Sequence, residues 1–149
     1  MIDIKHESIS NLFSADNVNE LFGSYSQDGK NDLLPEPKPN KSTYIMMESA
    51  GMLDFLAAYD GSLLVGFLVM ITNEQPHYSK IASVIESIFV SKEHRSHGTG
   101  KHLIHLAAEI AKEKGAVNMM MSAPIGSNLQ RSAGLLGYTK TNTVFTRKI

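Results

Sequence analysis

Residues Arg95-Ser96-His97-Gly98-Thr99-Gly100-Lys101 are of the types that can hold a phosphate. Glycines at 98 and 100 let the backbone turn tightly, so that several N–H groups converge on one point. A strongly periodic helical segment follows at once. Its unpaired first-turn N–H groups and the positive end of its dipole suit an anion. Lys92, Arg95 and Lys101 against Glu93 add a local excess of positive charge, which favours a ligand rich in phosphates. The run Gly98-Thr99-Gly100-Lys101 is not the end of a nucleotide-triphosphatase loop. That motif requires glycine where Arg95 stands and Ser or Thr where His102 stands.

Glu86 is the second candidate. On a strand Ala82, Val84, Glu86, Ile88 and Val90 share one face, and Ile81, Ser83, Ile85, Ser87 and Phe89 share the other. A carboxylate in the middle of an apolar stripe must meet a partner, water or a substrate. Two readings stand at this point. One is a general base whose pKa is raised by partial burial; the other is a carboxylate paired to a lysine or capping a loop. His94, His97, His102 and His105 crowd one region, but only His102 and His105 share a helix face, with Glu109 one turn on. They read as a solvated face, and no metal is expected. Met119-Met120-Met121 reads as strand packing.

The elements that must position these residues follow from periodicity. Ile2 to His6 alternates as a first strand, and Ile9 to Tyr25 has helical spacing with an interruption. Gln27 to Lys41 carries Pro35, Pro37 and Pro39 at every second position, which forbids a helix and favours an extended exposed loop. A helix is expected from Lys41 to Ala50, then a hairpin of Leu53–Tyr59 and Leu63–Thr72 turned at Asp60-Gly61. Asn73 to Lys80 reads as a loop and Ile81 to Ser91 as a long strand. From Gly100 to Lys114 the apolar residues Leu103, Leu106, Ala107, Ile110 and Ala111 form one helical stripe, stopped at Gly115. Val117 to Ala123 is a further strand ended by Pro124. A short helix from Ser127 to Leu136 comes next, and Val144, Phe145 and Ile149 suggest one or two closing strands.

The 149 residues amount to a single domain, 1–149, with 42% hydrophobic and 19% charged residues. A net charge of −1 gives no general attraction to nucleic acid or anionic lipid. The absence of cysteine removes disulfides and thiolate chemistry. No apolar run approaches the ~20 residues of a membrane span, and the N-terminal residues lack a signal-peptide core, so a cytoplasmic protein is expected.

Strand Val84–Val90 followed by Arg95, Gly98 and Gly100 resembles the central motif of the GNAT superfamily of acetyl-CoA-dependent N-acetyltransferases. Its pattern is Arg/Gln-x-x-Gly-x-Gly/Ala after a strand. The order of elements is similar to that fold over essentially the whole chain, and the arrangement is also like that of small phage-encoded relatives. The resemblance implies an α/β fold with a mixed, mostly antiparallel sheet and about four helices. It implies acetyl-CoA as the acetyl donor and an amine, on a small molecule or a protein, as acceptor; it also leaves room for a homodimer. By the same resemblance the backbone of Ile88, Phe89 and Val90 holds the pantetheine arm, and Arg95, Ser96, His97, Gly98, Thr99, Gly100 and Lys101 form the pyrophosphate loop. Glu86 matches the position of the glutamate that draws a proton from the amine in several of these enzymes. Acceptor entry is expected beside Gln27–Lys41 and the loop holding His77 and Tyr78, with Asp28, Asp32 and Glu36 as nearby carboxylates.

One position departs from the family pattern. Ala133 stands where many of these enzymes carry a tyrosine that protonates the departing thiolate, and Gly126 is in register with a usual asparagine, with Asn128 two residues later. Ser127 and Ser132 are the hydroxyls at hand. A second reading of a different class is therefore a non-catalytic acyl-CoA-binding or protein-interaction module on the same fold.

Overall fold

Four strands run as an antiparallel meander and a fifth is added in parallel, in the spatial order β1-β2-β3-β4-β5. The computed structural model describes residues 1–149. The strands are β1 Ile2–Glu7, β2 Leu53–Asp60, β3 Leu63–Gln75, β4 Lys80–Val90 and β5 Met119–Met121. The helices are α1 Ser10–Ser14, α2 Val18–Asp28, α3 Lys41–Ser49, α4 Thr99–Glu113 and α5 Asn128–Ser132, with short 3-10 turns at Lys92–His97 and Ala133–Leu136. Parallel neighbours need a crossover, and α4 supplies it between β4 and β5. This is the mixed, mostly antiparallel α/β sheet that the sequence predicts.

β2 and β3 read as nearly continuous apolar runs because both of their faces are covered. On one face Leu56, Ala58, Leu68, Met70 and Ile85 pack against Leu103, Ile104, Ala107 and Ile110 of α4. On the other, Phe55, Ala57, Leu64, Phe67, Val69 and Phe89 pack against Ile9, Leu12 and Leu21 of the N-terminal helices. Each fully buried leucine contributes on the order of 1.5–3 kcal/mol relative to exposure. The stripe on α4 therefore fixes where that helix begins, and with it the glycine loop. The β2–β3 hairpin turns at Gly61, whose φ of +60° meets the demand of a two-residue loop.

One carboxylate is buried, and its partners reach it from the surface. Asp54 of β2 accepts from Lys114 Nζ at 2.5 Å and lies 3.0 Å from His6 Nε2, which joins β1, β2 and the C-terminal end of α4. Pairing on both oxygens offsets the cost of taking the carboxylate out of water.

The C-terminal stretch differs from expectation. β5 is only three residues long, and no strand forms after it; Val144, Phe145 and Ile149 are exposed. Val144 and Phe145 are adjacent, so in a strand they would point to opposite faces and supply no apolar stripe. A three-residue neighbour also offers too little edge to pair against. Earlier in the chain β3 extends to Gln75, which shortens the expected Asn73–Lys80 loop to a tight turn.

Candidate active site

The site is organised by an irregularity in β4. Val69 pairs with Ser87, but the next residue, Met70, pairs with Ile85, so Glu86 has no partner on β3. An extra residue of this kind bends the strand and re-aims the side chains around it. Before the bulge Ile85 faces α4; after it Ile88 and Val90 do. Simple alternation, which put Glu86 on the same face as Ile88 and Val90, fails at this point. Glu86 and Ser87 instead both line a cavity on the opposite face of the sheet. Glu86 is also exposed rather than partly buried, because the bulge lifts it away from the packed layer.

That cavity encloses about 360 Å³ between the sheet, α3 and the proline loop. Tyr44 of α3 donates to Glu86 Oε1 at 2.8 Å, and Ser87 Oγ donates to Oε2 at 2.8 Å. The carboxylate is thus held from both ends, with one lone pair on each oxygen still available. Tyr25 stands close enough for the charge of Glu86 to act on it. Burial and, second, that charge raise the pKa of both Tyr25 and Tyr44, and for Tyr44 the hydrogen bond to Glu86 adds to the effect. Both phenols therefore remain neutral donors through the physiological range. Tyr25 and Tyr44 carried no distinctive signal in the sequence. Helical spacing marked Tyr25 as a packing residue, and nothing local shows that Tyr44 will meet a strand 42 positions later.

Beyond Glu86 the other edge of β4 is open. β5 pairs only with Ser83, Val84 and Ile85, which leaves Glu86 to Val90 without a strand neighbour on that side. The loop that follows is shaped for close approach. Gly98 adopts φ +75°, and a Cβ added there would meet no atom within 4 Å; one added at Gly100 would touch only Val90 Cγ2, at 3.9 Å. Ser96, His97 and Lys101 are exposed around this opening. Thr99 is buried, and its Oγ1 donates to the His94 carbonyl at 3.4 Å.

Arg95 is engaged within the fold. Its Nε donates to the Val90 carbonyl at 2.7 Å, its guanidinium pairs with Asp28 at the end of α2, and it lies 5.5 Å from the Phe89 ring centre. It fastens the C-terminal end of β4 to α2. Asp28 is consequently paired and does not line the cavity, and neither do Asp32 and Glu36. Of the two loops expected beside the acceptor, Pro37 to Asn40 borders the Glu86 cavity, whereas His77 and Tyr78 do not. His94 packs between Ser91 Oγ and Asp60, and no group of three or more His, Cys, Asp or Glu side chains is arranged to hold a metal.

A family model described as the acetyltransferase (GNAT) family matches residues 16–136. The chain belongs to the GNAT acetyltransferase family. A search of curated protein sequences gives no match. Among solved structures, a ribosomal-protein-alanine N-acetyltransferase from Brucella melitensis biovar Abortus 2308 is similar at 21% identity and a TM-score of 0.76, covering 100% of this chain and 98% of that one. Glucosamine-6-phosphate N-acetyltransferase from Arabidopsis thaliana is similar at 12% identity and 0.75, covering 99% and 97%. AAC(6')-Iy, in complex with the bisubstrate analogue CoA-S-monomethyl-acetylneamine, is similar at 19% and 0.71, covering 100% and 99%. At these identities the likeness is one of fold.

Within this GNAT chain the position of the usual thiolate-protonating tyrosine is Ala133, half-buried at the end of α5. The hydroxyls nearest in sequence serve their own helix. Ser132 Oγ donates to the Asn128 carbonyl at 2.9 Å, and Ser127 Oγ caps α5 by accepting from Gln130 N at 3.1 Å. Tyr138 packs on the α4 side of the core with its hydroxyl buried and without a hydrogen-bond partner, and burial raises its pKa.

Proposed function

We propose that the protein transfers an acetyl group from acetyl-CoA to a primary amine, with Glu86 as the general base. One observation carries this reading: a single strand bears, in order, a bulged carboxylate opening into a cavity, an unpaired backbone edge and a glycine loop at a helix N-terminus. On this reading the backbone of Ile88, Phe89 and Val90 bonds the pantetheine arm and polarises the thioester carbonyl. Residues Ser96 to Lys101 surround the pyrophosphate, and Arg95 positions their loop. Glu86 takes a proton from the acceptor ammonium, directly or through water. The freed nitrogen lone pair attacks the carbonyl carbon, forming a C–N bond, and preorganised backbone donors stabilise the oxyanion. The adduct nitrogen gives up its second proton to water as the C–S bond breaks. The CoA thiolate, whose parent thiol has a pKa near ~8.5, takes one from water, so that the net proton released is the one held by Glu86.

Ala133 favours a second reading, a domain that binds acyl-CoA and transfers nothing. Incubation with labelled acetyl-CoA and a broad panel of amines separates the two. Glu86→Gln should keep CoA affinity and lose transfer by roughly 10²–10⁴-fold near neutral pH. A variant with the parental rate across pH would assign the carboxylate to structure. Tight CoA binding by the parent with no amine acetylated would establish the binding module.

A further inference from the structure

We infer that the acceptor is a small amine with one positive charge on an apolar, aromatic-compatible body, and not a polycation; this rests on the transferase reading above. Among the 14 residues that line the Glu86 cavity, Glu86 is the only carboxylate and Lys38 the only other charged group. The walls are apolar: Leu12, Met47, Phe67, Val69 and Ile71, together with the rings of Tyr25 and Tyr44. At about 360 Å³ the cavity lies at the small end of the range for ligand pockets.

The charge arrangement limits the acceptor further. Tyr44 and Ser87 already occupy one lone pair on each oxygen of Glu86, and the two that remain belong to one negative charge, which balances one ammonium. Aromatic faces beside it favour a cation at that point only. A second ammonium entering the cavity would lose water and find no carboxylate, since Asp28 is taken by Arg95. It would also approach Lys38, which forms no ion pair of its own at the cavity rim. One charge is therefore paired, the next is repelled, and the remaining surface asks for a ring or a branched chain.

The test compares 2-phenylethylamine with tobramycin, an amine bearing several ammonium groups. Each is titrated calorimetrically into the CoA-loaded protein, and transfer from acetyl-CoA is followed separately. Phenylethylamine should bind at least about tenfold more tightly, the least that an unpaired charge in a partly dry site is expected to cost. Lys38→Glu should narrow that ratio by supplying the missing carboxylate. Equal or tighter binding of tobramycin, no binding of either amine, or a ratio unmoved by Lys38→Glu would overturn the inference. The transfer measurement answers for the parent reading alone. Phenylethylamine bound but never acetylated would sink the transferase reading and leave the preference for a singly charged amine standing as one of binding alone. Faster acetylation of tobramycin would do the reverse.

Discussion

The hydroxyl of Tyr44 donates to Glu86 Oε1 at 2.8 Å, linking the first turn of α3 to the bulge in β4. The same turn is capped by Asn40, whose side chain accepts from Thr43 N at 3.1 Å. Asn40 ends the proline loop that borders the cavity. The edge of the cavity and the orientation of its one carboxylate are therefore set by one short stretch of chain, and a change in the loop reaches Glu86 through two hydrogen bonds.

Removing the Tyr44 hydroxyl should show this coupling in turnover. A hydrogen bond to a charged group is worth about 1.5–3 kcal/mol. On the proposed role of Glu86, Tyr44→Phe is expected to lower kcat by about tenfold, because the carboxylate loses the donor that aims it. Acetyl-CoA affinity should be unchanged, since Tyr44 lies on the opposite side of the sheet from α4. An unaltered kcat would reduce Tyr44 to a wall of the cavity.

The tyrosines also predict the response to alkali. Burial, and then the neighbouring carboxylates Glu86 and Glu7, raise Tyr25, Tyr44 and Tyr59 above the ordinary value of 10.0, with burial leading in each case; for Tyr59 the hydrogen bond to Glu7 comes second. Tyr138 is raised by burial alone. The unfolded chain therefore releases these protons first as pH rises. The stability they contribute is intact below about pH 10 and is lost progressively above it. Tyrosinate absorbance in the native protein should lag behind that of free tyrosine and then rise together with the loss of helical circular dichroism. Ionisation of all the tyrosines near pH 10 with the fold intact would contradict the assigned environments.

Much of the sheet and all of α4 were legible because they rest on long, regular patterns: both-face burial in β2 and β3, and the Leu103–Ala107–Ile110 stripe. The glycine loop was legible because Gly98 needs a positive φ that few other residues tolerate. The surroundings of Glu86 were not legible: alternation puts it in an apolar stripe, and the structure puts it at a bulge facing a cavity. A bulge inserts one residue into a count of two, and no local signal in Val84 to Val90 announces it; the cause lies in the pairing with β3. The closing strands at Val144 and Phe145 failed for the converse reason. Local strand propensity was present, but it found no partner edge.

Gly66 gives a test of the β3–β4 contact beyond the bulge. A Cβ at this position would sit 2.9 Å from the Phe89 carbonyl oxygen and 3.2 Å from Val90 Cγ2. The first is a backbone atom that cannot rotate away, so β4 itself must shift. Gly66→Ala should cost about 1–3 kcal/mol and lower Tm by several degrees. Since the displaced residues include two of those proposed to hold pantetheine, acetyl-CoA affinity should fall with it. Full stability in the alanine variant would mean that the strands separate more easily than their packing implies.

Gly100 separates a ligand contact from a folding requirement. Its φ is not positive, it lies in the first turn of α4, and a Cβ would meet only Val90 Cγ2 at an ordinary 3.9 Å. The fold thus tolerates a side chain, and alanine in a helix is favoured over glycine by about 0.5–1 kcal/mol. Gly100→Ala should keep or raise Tm and bind CoA nearly as well, because alanine also satisfies the motif at this position. Gly100→Val projects two further carbons into the proposed path of the pyrophosphate. It is expected to forfeit one backbone contact to a charged group, weakening CoA by roughly tenfold or more while the protein remains folded. Gly98→Ala behaves differently, since a side chain at φ +75° is strained by about 1–2 kcal/mol before any ligand arrives. Calorimetry with CoA and thermal melts on the three variants decide the matter. Parental affinity in a folded Gly100→Val protein would place the phosphate cradle away from this loop.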